Sequence, residues 1–272
     1  MSKALKVLLP TNFSVHATYA QILLERLAQK VQLEVHLAHV LPLPETVSIL
    51  PDGQIQTCGE IDMGFVELQR DLTLQKLKSI EGHFHGHHIL VGSSVESVVD
   101  FAETHEFDLI VMGSKGSAGL IEKLVGSKTQ NVVKKSKIPV LSLMCDRSDW
   151  TPNEILLAHQ FDKELVHIPK VILAIIAAFK SKVHLLQFID EQHQEESANQ
   201  AMQAFAQKEG LANVQFHTLV EKNVENGVLH FDQMKAVDML LIGTHAKSRL
   251  FHKSATQSLV SHLYKPMITF HI

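Results

Sequence analysis

Asp108-Leu-Ile-Val-Met-Gly-Ser-Lys-Gly-Ser-Ala-Gly-Leu-Ile-Glu-Lys-Leu-Val-Gly-Ser-Lys-Thr129 is the stretch whose reading decides the fold. Its first half is apolar almost without alternation, which is how a strand buried on both faces reads, so a parallel sheet covered by helices on both sides is expected. The strand then runs into glycines, and these into the helical pattern Gln130-Asn-Val-Val-Lys-Lys135. Near the other end of the chain, Asp238-Met-Leu-Leu-Ile-Gly243 repeats the strand and is again followed by a polar loop.

The repeat extends outward from there. Lys6-Val-Leu-Leu-Pro-Thr-Asn-Phe13 corresponds to Glu154-Ile-Leu-Leu-Ala-His-Gln-Phe161, and each precedes a helical pattern, about 16–30 and 162–180. Strand-like runs follow at 33–40 and 183–189. Ile138-Pro139-Val-Leu-Ser-Leu143 closes the first copy and Lys265-Pro266-Met-Ile-Thr-Phe270 the second. A period near 130 residues is too long for a solenoid unit and means two domains. The seam falls at 146–153, giving expected domains 1–147 and 152–272. A second helix is expected at about 63–80, and residues 43–62, with Pro44, Pro51, Gly53 and Gly59, read as a long loop.

Composition narrows the classes of function. The chain has 272 residues, 45% hydrophobic and 20% charged, as ordinary globular domains do. A net charge of -4 disfavours a nucleic acid held by bulk electrostatics. The apolar run 171–179 is too short for a bilayer span, and residues 1–14 lack the apolar core of a signal peptide, so no membrane partner and a cytoplasmic location are expected. Cys58 and Cys145 make no disulfide framework.

The glycine loop carries the chemistry. Backbone amides in such a loop can turn toward an anion, and the helix start near 126–129 adds donors and the positive end of the helix dipole. Ser127 and Thr129 offer hydroxyls to phosphate oxygens, and Lys115 and Lys128 add charge. In open α/β sheets ligands lie beyond the carboxyl ends of strands where the order reverses, which would gather Pro10, Thr11 and Asn12, Val40, and Gly113 around one crevice.

At these residues the chain resembles the universal stress protein family. Nucleotide-binding members carry Gly-x-x-Gly, nine residues, then Gly-Ser or Gly-Thr; here Gly113 and Gly116 are followed, after residues 117–125, by Gly126 and Ser127. Val7-Leu-Leu-Pro-Thr-Asn-Phe-Ser14 resembles the family's first strand and loop, and Lys137-Ile-Pro-Val-Leu141 its last strand. The resemblance implies two tandem Rossmann-like α/β domains of the adenine nucleotide alpha hydrolase-like type, each with a five-stranded parallel sheet of order 3-2-1-4-5 and helices on both faces. It implies ATP, with Mg2+, as ligand. Pro10, Thr11, Asn12 and Val40 would surround base and ribose beside Met112 and Gly113, while Gly116, Gly126, Ser127, Lys128 and Thr129 would hold phosphates. Single-domain members commonly pair through their last strands, so an intramolecular pseudo-dimer is expected here, with a homodimer as a further possibility.

Two departures qualify this. The family usually has Asp where this chain has Asn12, which keeps an acceptor oxygen but gains an amide donor. In the second copy Ala246 replaces Gly116 and Lys253 replaces Gly126, so its phosphate cradle is largely missing. Four histidines crowd His83-Phe-His-Gly-His-His88; if extended, His83, His85 and His87 share a face and are candidate metal ligands, although no acidic or cysteine ligand stands near enough in sequence to finish a tetrahedral set. No nucleophile–base–acid set and no Walker loop is visible, so at most slow ATP hydrolysis is expected. A nucleotide-dependent stress or signalling protein is the leading reading. The alternatives are a scaffold or metal-binding stress protein with a vestigial site, and an ATP-consuming adenylyl-transfer enzyme.

Overall fold

A computed structural model describes residues 3–42, 47–49, 55–57, 63–114, 128–161, 167–221, 224–244 and 265–271. The first half contributes strands β1 (Leu5–Pro10), β2 (Leu33–Leu41), β5 (Gly86–Val91), β6 (Leu109–Gly113) and β7 (Val140–Leu143) to the main sheet. Between them run α1 (Val15–Ala28), α2 (Met63–Lys78), α3 (Glu96–Thr104) and α4 (Lys128–Lys135). The second half supplies β8 (Glu154–Ala158), β9 (Lys182–Ile189), β10 (Val214–Val220), β11 (Met239–Thr244) and β12 (Met267–His271), with α5 (Lys170–Phe179), α6 (Glu195–Glu209) and α7 (Val224–Met234).

The strand order across the sheet is β10-β9-β8-β11-β12-β7-β6-β1-β2-β5. Within each half this is the parallel 3-2-1-4-5 order, two tandem Rossmann-like units. The two final strands meet antiparallel, Ile268 opposite Leu141 and Thr269 opposite Val140. The seam is buried: Ser142 and Thr269 are each 3% exposed, and their hydroxyls donate across it to the Met267 and Val140 carbonyls. Ten strands therefore share one continuous sheet.

Strand alternation sorts side chains into layers. In β1, Val7 and Leu9 join the core under α1 while Leu8 joins the core under α3 and α4; β6 does the same with Leu109 and Val111 against Ile110. The α1 face is one core across both halves, because Leu141, Trp150, Ile268 and Phe270 link Leu23 and Leu27 of α1 to Ile172 and Ile175 of α5. The opposite face has separate cores, one beneath α3 and α4 and one beneath α7. The Asp that precedes the fourth strand in each half has a defined task. The Asp108 amide donates to the Lys6 carbonyl, and its carboxylate accepts the Lys6 amide at 2.8 Å; Asp238 does the same with Glu154, its carboxylate accepting at 2.9 Å. Each carboxylate fastens strand four to the start of strand one.

Sequence and structure differ in places. The stretch read as a loop holds a two-stranded antiparallel ribbon, β3 (Val47–Ile49) with β4 (Ile55–Thr57). The β-branched residues of the two runs flank Pro51-Asp52-Gly53, a turn signal that outweighs the general loop composition. The helical pattern read from about 162 is a helix from Lys170, after Pro169; residues 162–166 lie outside the described residues. Proline lacks the amide that a continuing helix would need and is suited to helix starts.

A chain ending at Pro266 should lose β12 and bare the apolar edge of β7. Such an edge pairs with whatever strand it meets, so sedimentation should find dimers or aggregates. A soluble monomer would show that β12 does not protect β7.

Candidate functional site

The first and fourth strands lie side by side while α1 and α4 pack on opposite faces of the sheet, and a cleft opens above the carboxyl ends of β1, β2 and β6. The cleft is about 470 Å³. Pro10, Thr11, Asn12, Val40, Met112, Gly113, Lys128 and Thr129 all line it, from four separate stretches of sequence. Lys115, Gly116, Gly126 and Ser127 lie outside the described residues, as do Ala246 and Lys253 of the second half.

Its floor begins with a tight turn. Phe13 has a left-handed backbone, φ 60°, which costs a non-glycine residue on the order of 1 kcal/mol. The turn is held from both ends: the Phe13 amide donates to Thr11 Oγ1 at 3.0 Å and the Ser14 amide to Asn12 Oδ1 at 3.2 Å. Ser14 then caps α1 by accepting from the Ala17 amide. Asn12 Oδ1 accepts inside the turn, because Ser14 N–H can only donate. The amide nitrogen is what Asn12 offers to the cleft.

Two of the cleft residues also make packing contacts. Thr129 is 3% exposed, and its hydroxyl donates to the Gly113 carbonyl at 2.8 Å. It ties the start of α4 to the end of β6. Gly113 is required by packing: a Cβ there would stand 2.0 Å from the His16 carbonyl of α1. The glycine lets the first turn of α1 close on β6. Lys128 is exposed at the start of α4, where the N–H groups of a first turn have no partner within the helix.

Sequence reasoning missed His39, His16, Ser14 and Ser94, which also line the cleft. His39 Nδ1 lies 2.7 Å from the Thr11 carbonyl, and a carbonyl only accepts, so Nδ1 donates to it. Its ring packs on Phe13 with centroids 4.7 Å apart, and Lys76 covers the other ring at 4.1 Å. Ser14 was legible as the polar residue before a helical run; His39 had no signal beyond standing next to Val40.

The histidine cluster does not gather as expected. Strand β5 starts at Gly86, so His83 and His85 precede it and only His87 is in the strand. His85 Nδ1 accepts the Val35 amide at 3.0 Å and is committed to the backbone. Among the described residues no group of three or more His, Cys, Asp or Glu is placed to hold a metal. Nor does any described helix have the length and apolarity to cross a membrane. A cleft of about 820 Å³ at the opposite end of the strands mixes Lys3, Lys6, Lys30 and Lys170 with Glu34, Glu106 and Asp108.

Comparison with known proteins agrees with this geometry. The profile of the Universal stress protein family matches residues 4–143. The chain belongs to that family. It is 28% identical over 138 residues to universal stress protein MJ0531 of Methanocaldococcus jannaschii, covering 50% of this chain and 79% of that one. It is 51% identical over 53 residues to universal stress protein MJ0577 of the same organism, a match spanning 20% of this chain and 33% of the relative. In structure it is similar along its whole length to a universal stress protein from Archaeoglobus fulgidus, with TM-score 0.66, 17% identity and 98% of each chain covered. That likeness extends the fold over both halves.

Gly113→Ala should destabilise the protein by roughly 2 kcal/mol, since overpacking costs about 1–3 kcal/mol and the opposing atom is backbone. Urea unfolding measures it. A midpoint equal to the parent's would mean that α1 can retreat from β6 without penalty.

Proposed function

We propose that the chain binds one adenine nucleotide, ATP with Mg2+, in the cleft of its first half and acts in stress response or signalling through a nucleotide-dependent conformation. The observation that carries this reading is the convergence of Pro10, Thr11, Asn12, Val40, Met112, Gly113, Lys128 and Thr129 on one cleft at the strand-order reversal. The volume, about 470 Å³, is in the range of small-molecule sites, about 300–1,000 Å³. The available groups fit the ligand. Apolar Val40 and Met112 suit the base, and the Asn12 amide supplies a donor beside them. The start of α4 with Lys128 suits phosphates, and Gly116, Gly126 and Ser127 extend that end in sequence.

In this reading Thr129 acts indirectly, by fixing α4 to β6 so that the helix start faces the cleft. Phosphate held between Gly116 and Gly126 orders residues 114–125 and so changes the face offered to a partner. A ligand shifts such an equilibrium only through a difference in affinity between the two states, and contacts to both ends of the loop supply one. The second half, domain 152–272 beside domain 1–147, is the ligand-free member of an internal pseudo-dimer joined at β7 and β12. The protein acts in the cytoplasm.

Calorimetric titration should find about one ATP per chain. Gly126→Asp should abolish the heat, since it sets a side chain and a negative charge where phosphate would sit, and Lys253→Asp should leave it unchanged. Equal loss from both variants, or two equivalent sites, would place the ligand elsewhere. ATP should also slow hydrogen exchange over residues 115–125; unchanged exchange on a saturated protein would make the nucleotide structural. Steady release of pyrophosphate would turn the reading toward adenylyl transfer.

A further inference from the structure

Both halves contain the same chain of three side chains, in a place the nucleotide reading does not use. In the first half His36 Nδ1 on β2 lies 2.9 Å from His88 Nε2 on β5, and His36 Nε2 lies 2.8 Å from Glu34 Oε1. In the second half His184 Nδ1 on β9 lies 2.9 Å from His217 Nε2 on β10, and His184 Nε2 lies 2.5 Å from Glu154 Oε2. The stagger is identical: His88 pairs with Ala38, two residues beyond His36, and His217 pairs with Leu186, two beyond His184. Both pairs sit under rings of the next helical segment, Phe101 and Phe107 in one and Phe231 in the other.

The carboxylate reaches the chain by different routes. Lys6 of β1 stands opposite Glu34 of β2, whereas Glu154 of β8 stands opposite Lys182 of β9. Acid and base have changed places between the strands, yet a carboxylate still meets the outer nitrogen of the strand-two histidine. That outcome is not inherited residue for residue, which makes the Glu–His–His arrangement itself the shared feature.

The ring geometry selects the bridging particle. Centroids are 5.1 Å apart in both pairs, with interplanar angles of 21° and 33°. Rings so nearly coplanar, edge to edge, with nitrogens 2.9 Å apart, are disposed for a linear N–H···N bond. A metal in line with both facing nitrogens would need them about 4 Å apart, since each metal–nitrogen bond alone is about 2.0–2.1 Å.

We propose that the two imidazole pairs are acid-sensitive latches, each sharing one proton across the seam between the second and third strands at neutral pH and releasing the outer strand when a second proton arrives. Glu− accepts Nε2–H of His36 or His184, and the facing nitrogens need one proton between them. A first extra proton is balanced by the carboxylate and leaves that bond intact. With both rings charged, N–H opposes N–H and the bond is lost.

The surroundings oppose that second proton. Facing the first pair are Glu34 of β2, Lys6 of β1, His85 and His87 at the start of β5, and His105 after α3. Facing the second are Glu154 of β8, Lys182 of β9 and Lys235 after α7. Burial, then the neighbouring His36, lowers the pKa of His88 from its ordinary value. Burial, then His184, lowers that of His217 to about 4. A released strand, whose histidine titrates near its ordinary value of 6.5, thus binds more protons than a latched one from there down to about 4, and acidification favours release across that window. Among the described residues β5 and β10 are the outermost strands, each paired on one side. Strand β5 leads into Ser94 and Val98 of the cleft wall, so release in the first half also deforms the cleft.

Hydrogen exchange on the full chain without ligand tests this independently of nucleotide binding. Between pH 7 and about pH 5, protection factors in β5 and β10 should fall about tenfold or more while β1 and β8 hold theirs. The double variant His88→Gln, His217→Gln should show no such fall. Should the variant not fold, imidazole ¹H–¹⁵N spectra of the parent protein decide: His36 and His184 should carry Nε2–H with a proton-accepting Nδ1 at pH 7. Four rings titrating independently near the ordinary histidine value, pH-independent protection in the parent, or stoichiometric zinc that the double variant loses would each overturn the latch.

Discussion

The pairing of the first strand with the fourth is the constraint on which the rest depends. Val7 and Leu8 lie against Leu109 and Ile110, and the Asp108 carboxylate locks the start of one strand to the start of the other. From that junction the sheet grows both ways, toward β2 and β5 on one side and β7 on the other. The connections after β1 and β6 must then leave on opposite faces, and the gap they leave is the cleft. The second half is built the same way around Glu154 and Asp238. A carboxylate bonded to a partly buried amide holds its place because the amide would otherwise be desolvated without a partner, at about 1–3 kcal/mol.

Much of this was legible beforehand. Strands buried on both faces read as unbroken Val, Ile and Leu runs, and two sets of them in one order gave two units of one topology. The cleft residues followed from the rule for strand ends. What could not be read depended on partners distant in sequence. His36 and His88 are 52 residues apart, and only the register of β2 against β5 brings them together; the cluster at 83–88 pointed to the right strand but to the wrong neighbours. The packing contacts of Gly113 and Thr129 were out of reach for a related reason. Glycine and hydroxyl residues beside a cleft suit anion binding, but here they pack α1 against β6 and tie α4 to β6, contacts that no local pattern encodes.

The two halves have diverged unevenly. The architecture, the Asp staple and the Glu–His–His chain occur in both, whereas the glycine pattern of the phosphate loop is intact in the first only. Retention of the half without that glycine pattern has a physical reason in the seam. One core runs under α1 and α5 through Leu141, Trp150, Ile268 and Phe270, so the second half supplies part of the surface on which the first half folds. A unit can lose its ligand loop and still be needed for its edge.

The central claim is that the cleft above β1, β2 and β6 is the one nucleotide site of this chain. A crystal structure of the protein grown with ATP and Mg2+ tests it most directly. The account predicts nucleotide density between Val40, Asn12 and the start of α4, and none at the corresponding end of β8, β9 and β11. Density above the second half, or an empty first cleft in crystals at saturating ATP, would contradict it.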